Sequence, residues 1–194
     1  DLEAQGVGYL CLPPSAGKLQ PSNVDEQVFL GICESVIRIL TEQRRTDPSQ
    51  RDWPPERWSA DQPSGNRREG ADKARIATYL TACASKLGVG WEGLRAGVRD
   101  ALARVGHGTN DAWGIVSLSS LWVRVPPRDA RPWMCERCGQ LHWQPSGGVC
   151  SRCTAHLPSA PNGQRSAAEI ERDHYYAYLA ADAGSAFRIH AEEL

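Results

Sequence analysis

Apolar residues recur at helical spacing in three segments of the first half of the chain. In the first segment they fall on one face of a helix, at Val28, Ile32, Val36, Ile37 and Leu40. Residues 22–25 read Ser-Asn-Val-Asp, a capping box with a hydroxyl at the cap and a carboxylate three residues later. The pattern therefore predicts a helix that begins near residue 23 and fades after residue 42, where the sequence becomes polar.

Two further helices are predicted between residues 71 and 105. The second helix runs from about 71 to 87, and its apolar face comprises Ile76, Tyr79, Leu80, Cys83 and Leu87. The third helix runs from 92 to 105, and its apolar face comprises Leu94, Val98, Leu102 and Val105. The glycines at 88, 90 and 106 suit the ends of these helices, because glycine adopts the left-handed conformation of a C-cap at little steric cost.

A polar stretch at 47–70 separates the first helix from the second. It is rich in Pro, Arg, Asp and Gly and contains Trp53 and Trp58. Such a composition fits either a disordered segment or an ordered insertion held by the two indole rings. Residues 23–112 are thus interpreted as one helical region with an insertion at 47–70.

The periodicity changes on both sides of this helical region. Residues 113–125 carry apolar positions typical of one or two strands, which the prolines at 126 and 127 end. Residues 1–22 predict an extended arm, since an apolar run at 7–12 is followed by several prolines. After a linker at 158–163, Ser166 and Glu169 form a second capping box. It opens a helix to about residue 183, and residues 187–190 begin a strand.

Four cysteines in two Cys-x-x-Cys pairs are the strongest chemical signal in the chain. They are Cys135 with Cys138 and Cys150 with Cys153, and eleven residues separate the pairs. Each pair bends the chain so that two sulfurs reach one metal ion, and two pairs at this separation are typical of a tetrahedral zinc ribbon. We therefore predict that the four cysteines bind Zn²⁺.

With this ribbon included, the whole sequence predicts an α+β fold. The helical region is followed by a short β segment and the four-cysteine zinc ribbon, which together occupy 113–157. Residues 158–194 supply the linker and a C-terminal helix-strand unit. Removal of the metal is expected to melt the region from about 133 to 157, because so small a unit has little core of its own.

The cysteines also admit other interpretations. They could be redox dithiols or unrelated buried thiols, and His142 or His156 could replace one thiol in a site of three cysteines and one histidine. A catalytic zinc keeps one ligand position open for water, whereas four thiolates close the shell, so a metallohydrolase is the less favoured hypothesis. Gly139, directly after the first pair, suits the left-handed turn of a zinc knuckle.

Composition and charge limit the binding partners and the cellular locations that the sequence allows. The net charge is −1 and charged residues make up 23% of the chain, so any nucleic-acid contact must come from local clustering. Cys11, Cys33 and Cys83 leave an odd number of thiols outside the quartet, which favours a reducing, cytoplasmic location. No signal peptide and no apolar run of membrane-spanning length is present in the sequence, so we expect no membrane association. The first residue is Asp and not Met, which suggests a piece of a longer protein.

Basic and aromatic residues cluster around the cysteine pairs. The candidates for phosphate contacts are Arg124, Arg131, Arg137 and Arg152, and the tryptophans at 122, 133 and 143 are candidates for stacking on bases. The opposing interpretation is structural. Arg137 and Arg152 fill variable positions of the Cys-x-x-Cys turns, where polar residues are ordinary, and Trp133 and Trp143 cover the metal site.

Four stretches of the chain, taken in order, resemble a known protein family. They are WMCERCGQLH at 133–142, GGVCSRC at 147–153, DHYYAYLA at 173–180 and FRIHAEEL at 187–194. The set is similar to an interior part of large bacterial DEAD/DEAH-type superfamily 2 helicases, namely the Lhr-like helicases of phage-defence systems such as Druantia and DISARM. In such proteins a four-cysteine module can lie beside the helicase core. The resemblance, which covers about residues 120–194, implies that 158–194 lead into a RecA-like domain.

The resemblance implies a zinc-binding accessory region of an ATP-dependent DNA helicase or translocase in anti-phage defence. Such a region would contact DNA or a partner protein of the defence complex, or it would fix the geometry of the helicase motor. The sequence lacks the Walker A loop and the Asp-Glu box that position Mg²⁺ and the γ-phosphate, so we expect a non-catalytic part of the enzyme. The alternative is a zinc-stabilised adaptor that binds protein and not nucleic acid. Binding to DNA would weaken with salt, whereas binding to an apolar protein surface would not.

Overall fold

The first helix, α1 (Glu26–Glu42), forms the centre of the fold and is buried on all sides. In this computed structural model, which describes residues 3–13, 20–21, 23–42, 67–103 and 121–172, every residue of α1 from Phe29 to Leu40 is buried. The predicted apolar stripe accounts for one face only. The other faces are covered because two helices, a strand and a turn of the cysteine-rich segment all pack against α1.

The N-terminus of α1 is capped by Asp25. Its carboxylate oxygen Oδ1 accepts hydrogen bonds from the backbone N–H groups of Gln27 at 2.9 Å and Val28 at 3.2 Å. These contacts satisfy N–H groups that have no partner within the helix. The helix therefore begins after Asp25, later than the capping box at 22–25 predicts, and Ser22 lies outside the described residues.

Two more helices complete the helical layer. Helix α2 (Arg67–Leu87) begins before the predicted residue 71, inside the stretch interpreted as a polar insertion. The rest of that stretch, 47–66, lies outside the described residues. Helix α3 is Trp91–Ala103. Gly88, with a φ of 67°, ends α2 as predicted. Most of the predicted apolar faces are buried in one core with α1, through Ile76, Tyr79, Leu80, Cys83, Leu94, Val98 and Leu102.

Two small antiparallel sheets flank the helices. Strand β1 (Tyr9–Cys11) pairs with β2 (Trp122–Arg124), with Leu10 opposite Val123. The segment interpreted as an extended arm thus contributes a strand. Strand β3 (Trp133–Met134) pairs with β4 (Leu141–His142) in the cysteine-rich segment.

The last described element is the short helix α4 (Ala167–Arg172). Its N-terminus is the predicted capping box. The Ser166 N–H donates to Oε2 of Glu169 at 2.7 Å, and the Glu169 N–H donates to Oγ of Ser166 at 3.4 Å. The remainder of the predicted helix, the strand at 187–190 and the strand residues 113–120 lie outside the described residues.

The arrangement confirms the predicted α+β class, with helices, small antiparallel sheets and a compact group of four cysteines. Among the residues that the structure describes, no helix combines the length and the apolar character needed to cross a membrane.

Candidate metal centre

The two Cys-x-x-Cys pairs form two turns of the same design. In the first, the Gly139 N–H donates to the carbonyl of Cys135 at 2.8 Å, and the Cys135 N–H donates to the carbonyl of Gln140 at 2.9 Å. In the second, the Thr154 N–H donates to Cys150 at 2.9 Å, and the Cys150 N–H donates to the carbonyl of residue 155 at 2.8 Å. The matching hydrogen bonds define two zinc-knuckle turns with equivalent backbones.

Each knuckle requires a left-handed residue directly after its second cysteine. Gly139 has a φ of 70°, as the sequence predicts, and Thr154 has a φ of 59° at the equivalent position. A residue with a Cβ pays about 1–2 kcal/mol for this conformation, whereas glycine does not. The first knuckle is therefore relaxed and the second is strained at Thr154.

The turns bring the four sulfurs together. The Sγ atoms of Cys135, Cys138, Cys150 and Cys153 all lie within 4.8 Å of one another. The Sγ atoms of Cys135 and Cys153 are 3.5 Å apart, and those of Cys138 and Cys150 are 3.6 Å apart. A tetrahedral ion with metal–sulfur bonds of about 2.3 Å would place its sulfurs about 3.8 Å apart.

These distances fit a single metal ion and do not fit disulfides. A disulfide needs sulfurs about 2.05 Å apart, and all seven cysteines of the chain are free thiols. The four-cysteine group can therefore hold a metal ion.

The protein supplies hydrogen bonds to the sulfurs but not enough to ionise all of them. Burial raises the pKa of the Cys135 thiol, but the backbone N–H groups of Cys138 and Arg137 outweigh that effect and lower it to about 7. At Cys150 burial dominates and raises the pKa well above its usual range, although the N–H groups of Cys153 and Arg152 oppose it. A bound cation would provide the charge that lets the four thiolates exist together.

His142 lies against this group without belonging to it. Its Nε2 atom is 3.4 Å from Sγ of Cys150, and its side chain is 1% exposed. Burial and the nearby Arg38 guanidinium lower the pKa of His142 to about 3. The mutually close ligand atoms are those of the four cysteines, which favours four sulfurs over three sulfurs and one histidine. His156 is exposed and contributes an isolated backbone pair with Val149.

The segment between the knuckles is fastened to the helices by a buried polar network. A 3₁₀ turn at Ser146–Gly148 places Ser146 against α1, where its Oγ is 2.6 Å from Oγ of Ser35. Gln144 donates to the same Ser35 hydroxyl at 2.9 Å, and the Tyr79 hydroxyl of α2 donates to the Ser146 carbonyl at 2.9 Å. Buried polar groups that are all satisfied fix one arrangement of the parts they join.

Charged side chains of the helices reach the same segment and the second knuckle. Arg38 donates to the carbonyl of Leu141 at 2.7 Å, and Arg75 donates to that of Ser151 at 3.1 Å. Lys86 donates to that of Gly148 at 2.9 Å. Arg38 also forms ion pairs with Glu3 and with Glu42. The sequence does not predict these contacts, because nothing near a basic residue of a helix marks the distant carbonyl to which it donates.

The four candidate phosphate-binding arginines have different environments. Arg124 is exposed, but its guanidinium lies 5.9 Å from the centroid of the Tyr9 ring and donates to the Tyr9 hydroxyl at 3.5 Å. Arg131, Arg137 and Arg152 are exposed. In the described part of the chain, none of these three is paired with a carboxylate. They remain candidates for phosphate contact, and Arg124 is already occupied by Tyr9.

The tryptophans separate into two groups. Trp133 packs in the small cluster that contains the four cysteines, as the covering role predicts. Trp143 instead packs with Tyr9 and Cys11 and donates from Nε1 to the carbonyl of Glu3 at 2.8 Å. Trp122 is 59% exposed and lies on β2 next to Val123 and Val125, which are 53% and 68% exposed. Trp122 and Val123 on β2, together with Val125 directly after the strand, form an exposed apolar edge.

A cavity of about 300 Å³ lies apart from the cysteines. It is lined by Glu3, Gly8, Tyr9, Leu10, Arg38, Thr41 and Glu42. Burial raises the pKa of Glu3 to about 7, against the opposing effect of Arg38. None of the four cysteines lines this cavity, so it offers no open position for a substrate at the metal.

Comparisons with protein-family models, with curated proteins and with solved structures return no match to this chain. The class that the fold and site define is an α+β protein with a four-cysteine centre able to hold a metal ion. The resemblance to helicases stays a prediction.

Proposed function

We propose that this chain is a structural zinc module that contacts DNA as an accessory region of a larger, ATP-driven helicase-type protein. The observation that carries the proposal is the group of four cysteine sulfurs within 4.8 Å of one another, on two knuckles that each present an exposed arginine. The metal would be structural, because four thiolates fill a tetrahedral shell and leave no position for water or substrate.

Zinc is the proposed metal because it accepts four thiolates in tetrahedral geometry without redox chemistry. Purified protein should contain one zinc per chain, and X-ray absorption should report four sulfur ligands at about 2.3 Å. A Cys150→Ser variant should lose stoichiometric zinc, while Cys33→Ser, at a buried cysteine of α1, should retain it. A metal-free wild-type protein, or a shell that contains oxygen, would contradict the proposal.

DNA contact is supported by the position of the arginines on the knuckles. Arg137 and Arg152 both stand directly before the second cysteine of their pairs and are both exposed, and Arg131 is exposed upstream of β3. Guanidinium groups held on a rigid scaffold are suited to bind phosphates. The competing role for Arg137 and Arg152 is to balance the charge of −2 that one Zn²⁺ and four thiolates leave on the site.

The two roles give different results for the double variant R137E/R152E. If the arginines bind phosphate, binding to a short DNA duplex or single strand should weaken at least about tenfold, and the slope of log affinity against log salt should fall by about 0.7–0.9 per lost contact. A matched charge change, R99E/R165E, should leave both quantities near wild type. If the arginines only balance the site, zinc retention should fall and the salt slope should not change.

A protein-binding adaptor is the second candidate, and the exposed apolar edge of β2 favours it. Trp122, Val123 and Val125 would dock an apolar partner surface, and affinity would depend little on salt. Crosslinking in host cells, followed by mass spectrometry, should identify a partner that wild type captures and V125D does not. The same substitution at exposed Ala96 of α3 provides the control. Salt-sensitive DNA binding with no such partner would favour the first candidate.

A further inference from the structure

We propose that His142 donates a hydrogen bond from Nε2 to the sulfur of Cys150 and thereby stabilises the bound metal as a positioning residue outside the ligand shell. The inference rests on the proposed function, since it concerns the same metal centre. It adds a residue that the Cys-x-x-Cys motif does not contain.

Geometry places the imidazole against one sulfur of the four. Nε2 of His142 is 3.4 Å from Sγ of Cys150, within the range of a hydrogen bond to sulfur. His142 is held in place by β4, whose backbone pairs with Trp133 of β3, and by its burial at 1% exposure. A ring fixed in this way keeps its nitrogen directed at the sulfur.

The chemistry of the ligand assigns the direction of the hydrogen bond. A metal-bound cysteine is a thiolate and carries no hydrogen, so it can only accept. The proton between Nε2 and Sγ must therefore belong to the imidazole. The neutral ring has one N–H, and the assignment fixes the tautomer as Nε2–H.

Because of this contact, the first cysteines of the two knuckles have different neighbours. Cys135 and Cys150 are the first cysteines of their turns, and each sulfur accepts backbone hydrogen bonds from its own turn, from residues 137 and 138 or from 152 and 153. Cys150 has His142 as an additional neighbour. A hydrogen bond to a thiolate withdraws electron density from sulfur, which lowers its reactivity toward oxidants and electrophiles and slows its departure from the metal. Cys150 should thus be the best protected ligand of the site.

The test compares His142→Phe, which keeps a ring and removes the N–H, with His142→Gln, which keeps an N–H donor on a chain of similar reach. The exposed His156→Phe serves as the control. The zinc-loaded proteins are challenged with a chelator and with N-ethylmaleimide, and the alkylated cysteines are identified by mass spectrometry. In a parallel experiment, cobalt(II) replaces zinc and the sulfur-to-cobalt charge-transfer band is recorded.

We expect His142→Phe to retain one metal ion per chain but to release it about 10-fold faster, with Cys150 alkylated faster than in wild-type protein. Its charge-transfer band should move to longer wavelength, because the sulfur electrons lose the stabilising hydrogen bond. His142→Gln and His156→Phe should stay near wild type. A purely space-filling role for His142 would leave the band of His142→Phe unchanged.

Three outcomes would overturn the inference. They are an unchanged band in His142→Phe, equal defects in the Phe and Gln variants, and an alkylation rate of Cys150 that is the same in His142→Phe as in wild type. Failure of the proposed function looks different, since wild-type protein would then bind neither zinc nor cobalt with thiolate charge transfer. Near-ultraviolet circular dichroism of each loaded variant verifies that the fold is intact before the rates are compared.

Discussion

The helical layer and the cysteine ribbon are stabilised by different kinds of interaction. The core around α1 is a continuous apolar cluster in which Phe29, Ile32 and Leu80 have no exposed surface. The ribbon has only a small cluster, made mainly of the cysteines themselves with Leu157 and Trp133. Apolar burial stabilises the first part, whereas the second has little apolar core of its own, and a bound metal ion would compensate for the entropy of ordering its loops.

The contrast teaches how a segment with a small core of its own is coupled to a layer with a large one. The contacts between them are mostly polar, through Ser35, Tyr79 and Ser146, and Val149 is the ribbon residue in the main apolar cluster among the described residues. Polar contacts are specific but contribute little net stability. The ribbon should therefore control the arrangement of the helices more than their existence.

Removal of the metal should have the largest effect. Chelation under reducing conditions should unfold the region from about 133 to 157, because metal binding contributes about 10 kcal/mol or more to such a unit. Hydrogen exchange should report loss of amide protection there, while the amides of α1 keep most of theirs. Full protection of the ribbon after chelation, or collapse of all helices, would remove the distinction between the two parts.

A cavity in the helical core should give the next largest effect. Phe29→Ala deletes a ring with no exposed surface and should lower the free energy of unfolding by about 3–5 kcal/mol. The loss should be the same in zinc-loaded and chelated protein, as measured by urea denaturation. Val123→Ala, at a half-exposed side chain, should change it by less than about 0.5 kcal/mol. A loss seen only in loaded protein would mean that the core depends on the metal.

A buried carboxylate of α1 makes stability depend on pH. Burial raises the pKa of Glu34 from 4.5 to about 7, with Arg124 opposing the shift and Glu3 adding to it. A raised pKa means that the folded state binds the proton more tightly than the unfolded state does. The contribution of Glu34 to the free energy of unfolding is therefore fully present below pH 4.5 and is lost as the pH rises through 7. Glu34→Gln should therefore be more stable than wild type at pH 8, by on the order of 2–3 kcal/mol.

The difference between Glu34→Gln and wild type should shrink as the pH falls toward 4.5. Because both proteins carry the same cysteines, the pH dependence of metal binding cancels in the comparison. Glu171→Gln, at an exposed carboxylate, controls for the loss of one charge. A difference that stays constant across this range would show that Glu34 is already ionised in the folded protein.

The smallest effect is expected at the two left-handed knuckle positions. Thr154→Gly should stabilise the zinc-loaded protein by about 0.5–1 kcal/mol, because relief of strain outweighs the entropy of glycine and the loss of the hydroxyl contact with the Cys153 carbonyl. Gly139→Ala should destabilise it by about 1 kcal/mol. Thermal unfolding of the loaded proteins measures both, and changes of the same sign would contradict the equivalence of the knuckles.

Local signals in the sequence predicted local features well. The capping box at Ser166 and Glu169, the left-handed Gly139 and the cysteine quartet each depend on a few neighbouring residues, and all three features appear in the structure. The apolar stripes of α2 and α3 were predicted for the same reason, since each is a periodicity within one helix.

Features that join distant segments were not predictable. The pairing of Leu10 with Val123 leaves no mark on either segment alone. The burial of Ser35, Arg38 and Glu34 depends on α1 being covered on every face, which its own periodicity does not encode. The sequence presents His142 as a substitute ligand or as a surface residue of the hairpin, because its buried position beside the Cys150 sulfur depends on the pairing of β3 with β4.

The pairing of β1 with β2 has a consequence for synthesis on the ribosome. Residues 9–11 cannot pair as a strand until residues 122–124 have been synthesised. The carbonyl of Glu3 likewise cannot accept its hydrogen bond until the indole of Trp143 is present. At about 5–20 residues per second, translation of the intervening chain takes roughly 6 to 25 s. During that interval α1 has been synthesised, but the ribbon residues that cover one of its faces have not. Emergence of the second cysteine pair therefore marks the moment at which the nascent chain can bury α1, the most apolar of the described helices, and so protect it from aggregation.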